Sequence, residues 1–399
     1  MTQFTIASFN VKNLIGPDQE YYKFQSYTPE EYAWKEDWLA DQITALNADI
    51  IGFQEIFDEQ SLRDTIARAD TYGLSNNEAA LPGEDKRYRH RAIFDRLAYR
   101  DYGNAALAFA PNVHDGQPGQ RRPGLAVLSR LGFADEPQII QVLDQPLDIP
   151  FKTFGDGDGG YYRIQKLSRP ILKVRVPVGG TVVTVFNCHL KSKLGEFIKQ
   201  EGADEYPAEA DLTNYDPVSR ALGAARSAMR RMAEAWVLRG AIIGELKQNR
   251  PVMVLGDFND SENAVSSEII SGEVPFRNYA WMLRHDAQHR GDRYSDEESA
   301  QITEDIEAVR LHSAEKLFVS KSLRDMIYTS AFGGVYESID RILMSRHFLS
   351  DWQDHIGHMA YFSVLNDHLT DGSHPEAPYN KLASDHGQIM ATIQMREGS

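Results

Sequence analysis

The sequence predicts an α/β fold whose strands deliver polar side chains at their ends. Short apolar runs recur along the chain, the first at residues 4–9 and the last at 388–393. Segments with helical spacing of apolar residues lie between them. Several apolar runs stop at Asn, Glu, Asp or His, and these stops are spread from residue 10 to residue 386. Strands that lie together in space would gather them on one rim. No Pro-, Gly- or Ser-rich linker divides the chain, so one domain over 1–399 is the expectation.

A strand over 4–9 ends at Asn10, and Gly16, Pro17 and Pro29 mark 11–30 as a loop. Tyr32, Trp34, Trp38, Leu39, Ile43 and Leu46 predict a helix over 30–46. A short buried strand at 49–53 ends in Gln54 and Glu55, and a helix over 59–69 follows. The polar, charged residues 75–92 read as a surface loop. Strands are expected at 105–110, 125–128 and 138–142. Gly155, Gly157, Gly159, Gly160, Pro146 and Pro150 predict a loop or hairpin tip over 144–160. Gly179-Gly180 signals a tight hairpin between strands 171–178 and 181–186, the second running into Asn187-Cys188-His189. Residues 194–215 and 285–310 read as surface insertions. Pro217 opens a helix to about Arg239, and a strand at 252–255 leads into Gly256-Asp257-Phe258-Asn259. Strand-like segments at 323–328 and 339–344 precede Ser384-Asp385-His386 and the last strand.

The charge of −16, from 42 basic and 58 acidic residues, disfavours binding nucleic acid by global attraction. A local basic patch beside a metal escapes that exclusion. With Cys188 the only cysteine, intrachain disulfides and cysteine-built zinc clusters are excluded. The N-terminus lacks the pattern of a secretory signal. No apolar run approaches the ~20 residues of a membrane helix. The cytoplasm is therefore the default location, and the periplasm or exterior follows if a leader precedes this sequence. No obligate protein partner is evident.

Asn10, Glu55, His189, Asp257 with Asn259, Asp340, and Asp385 with His386 are groups suited to metal and phosphate chemistry. Singly, each has an ordinary explanation. Asp-x-Asn after a strand is often a turn, a lone histidine is more often structural, and Asp340 could serve a backbone N–H. Together they are harder to dismiss.

The segments IASFNVKNL, IIGFQEI, VFNCHLKS, VMVLGDFND, ESIDRILMS and ASDHG, in this order over residues 6–387, resemble the endonuclease/exonuclease/phosphatase superfamily. That resemblance implies a four-layer α/β sandwich, with two mixed sheets packed face to face and helices outside. It implies a phosphate-ester substrate hydrolysed by activated water. Glu55, with Asn10 and Asp385, would hold Mg²⁺ or Mn²⁺, hard cations that accept few protein oxygens and keep several waters. Asp257 would orient or deprotonate the attacking water, and Asn259 would donate to the phosphate. His386 would contact the scissile phosphate, oriented by Asp340. His189 would contact phosphate or protonate the leaving group.

Two departures sharpen the comparison. Position 12 is lysine where the abasic-site branch has a carboxylate, which points toward the pancreatic-deoxyribonuclease-like arrangement. The acidic partner expected for His189 is not identifiable, and Asn104 stands near the expected strand start. HLKSK at 189–193 resembles predicted bacterial extracellular nucleases. Lys12, Lys191 and Arg122 are candidate phosphate contacts, with solvated loop residues the equal alternative for the lysines at 191 and 193. Arg220, Arg226, Arg230 and Arg231 are assigned first to surface or sheet-packing roles. The leading expectation is a nuclease, endo- and exonucleolytic action both open. The alternatives are a small-molecule or lipid phosphate esterase, and a binding protein that has kept the fold.

Overall fold

The computed structural model describes residues 3–21, 25–80, 98–112, 122–150, 152, 160–197, 216–273, 295–320, 327–370 and 382–396. Two six-stranded sheets organise them. The first has the order β13-β14-β1-β2-β4-β3, where β1 is Gln3–Leu14, β2 Ile50–Ile56, β3 Ala106–Asn112, β4 Arg122–Ser129, β13 Gly357–Leu365 and β14 Gln388–Met395. The second runs β5-β6-β7-β8-β12-β9, with β5 Gln138–Pro150, β6 Tyr161–Val178, β7 Thr181–His189, β8 Val252–Asp257, β9 Leu311–Ser313 and β12 Asp340–Ser345. Each is mixed: β1–β2 and β7–β8 are parallel pairs among antiparallel ones.

Three apolar layers make this a four-layer α/β sandwich. Phe4, Ile6 and Ile50 of the first sheet meet Val174, Val185 and Leu255 of the second in the central core. Their neighbours Ala7, Phe9 and Ile51 point the other way, onto Leu39 and Ile43 of helix α1 (Pro29–Leu46) and Leu62 of α2 (Glu59–Ala80). Phe186, Cys188 and Val254 likewise turn outward onto Leu238 and Ile242 of α3 (Pro217–Leu246) and Ile270 of α4 (Val265–Ser271). Strands buried on both faces carry unbroken apolar runs, which is why they stood out in the sequence.

Helix ends follow local chemistry. Thr28 and Glu31 form a reciprocal capping box with Pro29 in the first turn of α1. Such a cap contributes about 1 kcal/mol. Asp216 caps α3, again with proline next.

Several sequence expectations need correction. β1 continues to Leu14, into the segment expected to be a loop. α2 continues to Ala80, so the loop expected over 75–92 begins within a helix, and 81–92 lies outside the described residues. β5 reaches Pro150 because it goes on pairing with β6, and α3 reaches Leu246 because apolar contacts continue past the composition break. The charge-dense 285–310 contains helix α5 (Asp296–Val309), capped by Ser295 with Glu298, and 285–294 lies outside the described residues. Its acidic first turn complements the helix dipole. No residue of α5 is buried, in keeping with a surface position. Of 194–215, residues 198–215 lie outside the described residues. So do 323–326 of the strand expected at 323–328, while Ile327 and Tyr328 precede a small hairpin, β10 (Ser330–Phe332) with β11 (Val335–Glu337). β13 went unpredicted because a register shift between Met359 and Tyr361 breaks its alternation. Among the described residues no helix is long and apolar enough to cross a membrane.

Candidate active site

The two parallel pairs end on one rim. Asn10 lies opposite Gln54 in the first sheet, with Glu55 next. In the second sheet His189 and Asp340 both lie opposite Asp257, one from each neighbouring strand. Gly256 makes that convergence possible. Its φ is 141°, and a Cβ there would run into the Cys188 carbonyl of β7. The sheets are then joined at the rim by Asn10, whose Nδ2 is 3.1 Å from Asp257 Oδ2 and 3.2 Å from Glu55 Oε1.

Asp257 is the hub. Its Oδ1 accepts the Asn259 N–H at 2.7 Å, and its Oδ2 accepts from Asn10 and from Asn259 Nδ2 at 3.2 Å. Asn259 takes a left-handed φ of 52° to fold back in this way, so the strand does not continue extended past Asp257. Oδ2 is also 3.2 Å from His189 Nε2 and 3.8 Å from His386 Nε2. Burial opposes ionisation of Asp257, yet the charges of His386 and His189 and these hydrogen bonds prevail and hold its carboxyl well below the ordinary range.

His386 places Nδ1 2.9 Å from Asp340 Oδ2. Burial disfavours its imidazolium, but Asp340 and Asp257 outweigh that and raise its pKa well above the ordinary histidine value. Asp340 is itself pushed up by burial, with His386 pulling the other way. The pair's proton is drawn to the ring because a second carboxylate faces it. His386 Nε2 therefore carries hydrogen, and its 3.3 Å approach to Asn10 Nδ2 is a contact between two donors.

Neighbours not singled out in the sequence hold this arrangement. Thr329 Oγ1 accepts the N–H groups of Ile339 and Asp340 at 3.0 and 3.1 Å. Ser384 Oγ donates to the Asn10 carbonyl at 2.6 Å and accepts the His386 N–H at 3.0 Å. Beneath the rim, Gln54 Nε2 donates to Asn187 Oδ1 at 2.7 Å across the sheets. Asn187 stands two residues before His189 and hence on the same strand face, a signal available from spacing alone. Lys35, fully buried in α1, donates to the carbonyls of Val11 and Leu382 at 2.9 and 3.1 Å. Burial, reinforced by Lys12, lowers its pKa to about 7.

For a cation, the structure offers two clusters. Ligand atoms of Asp257, Asp340 and His386 lie within 4.8 Å of one another. These groups are buried and ion-paired through Asp340 Oδ2, His386 and Asp257 Oδ2, with Asp340 Oδ1 left unbonded, and the pairing describes a proton-sharing relay better than a hydrated-ion cage. On the first-sheet side, Glu55 is half-buried with φ 66° and its Oε2 accepts the Asn13 N–H at 3.0 Å. Asn13 Oδ1 is buried there without a hydrogen-bond donor. An acceptor without a donor beside a carboxylate, all oxygen, fits a hard divalent ion. Asp385, its side chain 54% exposed, stands 3.8 Å from Lys12 Nζ. Asn10 uses its oxygen to accept the Lys12 N–H at 3.0 Å and turns nitrogen toward Glu55, so here it orients that carboxylate.

The candidate phosphate contacts are placed differently. Lys12 is mostly buried beside Asp385. Lys191 donates to the Leu194 carbonyl of its own loop at 2.9 Å, and burial lowers its pKa to about 8. Arg122 is exposed at the start of β4, beyond the Ile56–Gly124 pairing and so at the rim end of the first sheet. Asn104 precedes the start of β3, at the sheet's opposite end, and cannot be the partner of His189. The α3 arginines are not an exposed stripe. Arg231 is buried, donating to Asp260 at 2.9 Å and to the Lys191 carbonyl at 3.1 Å, and thereby ties the loops after β7 and β8.

The family model described as Endonuclease/Exonuclease/phosphatase family matches residues 7–386. No curated protein matches by sequence. Among solved structures, similarity extends to an endonuclease/exonuclease/phosphatase family protein from Leptotrichia buccalis, at 12% identity and TM-score 0.44, covering 98% of this chain and 100% of that one. Truncated TDP2 from Caenorhabditis elegans aligns at 14% identity and TM-score 0.42, covering 98% and 97%. A mannosyl-6-phosphatase from Bacteroides thetaiotaomicron aligns at 14% identity and TM-score 0.44, covering 98% and 99%.

Proposed function

The chain belongs to the Endonuclease/Exonuclease/phosphatase family and is a metal-dependent phosphoric ester hydrolase, and from that premise we propose that it is a nuclease acting through the Asp257 rim. We read 1–399 as one catalytic domain, because the sheets share a core and jointly build the rim. The observation that carries the mechanism is a buried, ionised Asp257 beside a protonated His386, bridged to Glu55 by Asn10. Opposite protonation states in adjacent groups divide the labour of proton transfer and charge stabilisation.

Water attacks phosphorus as Asp257 takes its proton. The P–O ester bond breaks opposite, its electron pair leaves on the departing oxygen, and that oxygen takes a proton from solvent. His386 Nε2–H donates to a phosphoryl oxygen as charge grows there, while Asn259, expected from sequence to donate to phosphate, has its N–H groups committed to Asp257 and the Leu190 carbonyl and holds Asp257 in place. Glu55 and Asp385 would hold Mg²⁺ or Mn²⁺, with Asn10 orienting Glu55, and the bound ion would supply neutralisation of phosphoryl charge.

Nucleic acid is favoured by what borders the rim. The β10–β11 hairpin exposes Phe332 and Tyr336, faces suited to stacking on bases, and Lys193 reaches its Glu337 at 3.2 Å. Arg122 adds positive charge beyond Glu55. A small-molecule phosphate ester is the second reading, supported by the charge of −16 and by Lys191 being turned onto its own loop. The test is hydrolysis of DNA, RNA, nucleotides and phospholipid vesicles with Mg²⁺ or Mn²⁺, before and after chelation. Chelation is expected to abolish activity, with nucleic acid cleaved best and with a steep salt dependence. Preference for a mononucleotide without salt dependence selects the second reading.

A further inference from the structure

Lys12 and Asp385 meet at the rim, although the sequence assigns them different tasks. Lys12 is a candidate contact for substrate phosphate and Asp385 a candidate metal ligand. In the structure Lys12 Nζ lies 3.8 Å from Asp385 Oδ2, an ion pair whose side chains are 15% and 54% exposed. The backbone under each partner is fixed. Lys12 takes a left-handed φ of 52°, and its N–H donates to Asn10 Oδ1 at 3.0 Å. Next to Asp385, Ser384 donates its hydroxyl to the Asn10 carbonyl at 2.6 Å, and the Leu382 carbonyl accepts from buried Lys35 at 3.1 Å. Both residues are thus anchored to the end of β1. Their two side chains are what is left to change partners.

We propose that Lys12 couples metal binding to phosphate binding: its ammonium competes with the divalent ion for Asp385 until a phosphate group of the substrate draws it away. The inference rests on the reading of Glu55 and Asp385 as the ligands and of a phosphate ester as the substrate. While the pair is closed, Lys12 offsets the charge of Asp385 and repels a second cation. A phosphate group offers the ammonium another anion, and Asp385 regains its charge for the ion. Each ligand favours the state that the other favours, so the coupling is reciprocal. The exposure of the pair sets its strength. A partly solvated ion pair contributes little, so a substrate anion can reverse it, whereas a fully buried pair would be costly to open. The lysine at position 12 then has a purpose of its own. A carboxylate there, as in the abasic-site branch that the sequence resembles, would attract the ion with or without substrate. Lysine makes metal binding depend on substrate.

The test is Mn²⁺ affinity by calorimetry, with sulfate as the tetrahedral anion because it keeps Mn²⁺ in solution. Sodium sulfate replaces sodium chloride at constant ionic strength, and free Mn²⁺ is corrected for its weak complex with sulfate. Wild type should bind Mn²⁺ about twofold to fivefold more tightly in sulfate, the range of a partly exposed ion pair. This measurement needs no variant. Lys12→Met keeps the length of the side chain and removes the ammonium. It should already bind Mn²⁺ more tightly than wild type in chloride, by a similar factor, and should gain nothing from sulfate. Lys12→Arg keeps the charge and should keep the sulfate effect. Wild type indifferent to sulfate overturns the proposal. So does Lys12→Met with Mn²⁺ affinity at or below that of wild type in chloride, or with an equal gain from sulfate. Glu55→Gln and Asp385→Asn separate this failure from that of the underlying reading. If both keep wild-type Mn²⁺ affinity, the ion is held elsewhere and the reading falls together with the proposal. If both weaken Mn²⁺ binding while Lys12→Met changes nothing, the proposal alone falls.

Discussion

The two sheets bring different chemistry to the same rim. The first contributes Glu55 and, through the loop before β14, Asp385, oxygen acceptors that keep some solvent access, with buried Asn10 orienting Glu55. The second contributes His189, Asp257 and Asp340, all buried and bonded to one another or to His386. Acid density alone would put a cation in the second group. Burial argues for the first, because a hydrated divalent ion needs room for its waters, and Glu55 and Asp385 keep solvent access that Asp257 and Asp340 lack. The teaching is that a carboxylate's role depends on how far solvent reaches it.

The sharpest way to break this comparison is to neutralise one acid on each side. Asp257→Asn keeps size and removes the charge that takes a proton. It should lower kcat about 10³-fold with metal affinity little changed. Glu55→Gln should weaken Mn²⁺ binding about 10- to 100-fold, read by calorimetry, with activity partly restored by excess metal. Should Asp257→Asn prove the variant that loses metal, the division between the sheets is wrong.

A smaller effect sharpens the second side. The proposed mechanism requires Asp257 ionised and His386 protonated. Asp257's lowered pKa keeps it ionised well into acid, so the acid limb of the pH profile should lie below the ordinary carboxylate range. His386's raised pKa puts the alkaline limb above the ordinary histidine range, activity being lost as pH rises through it. Asp340→Asn removes one of the two carboxylates that raise it, so the alkaline limb should move toward neutrality and the acid limb should stay. Were the ring to return to an ordinary ~6.5, protonation alone would cost about fourfold at pH 7. A kcat–pH profile checks it, and an unmoved alkaline limb would detach His386 from Asp340.

How much of this was legible before folding varied with the physical origin of each feature. Asn10, Glu55, His189, Asp257, Asp340 and His386 stood out because they interrupt apolar runs, and the structure brings all six to one rim. Thr329 and Ser384 did not stand out as supports, since hydroxyls near turns are common and only their partners reveal a purpose. Lys35 was invisible for a related reason. It occupies a helix position that reads as solvent-facing, yet the loop before Ser384 and the end of β1 close over it.

By itself the sequence determined the layers and the rim. Strand and helix periodicity, buried runs and strand-end polar groups are local properties, legible within a few residues. Tertiary structure alone decided which atom each polar group faces. Lys191 turned from the rim to its own loop, Arg231 went inward to Asp260, and His189 kept one nitrogen bare. The decisive contact, Asn10 to Asp257, spans 247 residues. No local pattern encodes such a pairing, because it depends on how two separately formed sheets come to rest against each other and on which lone pairs remain unsatisfied when they do.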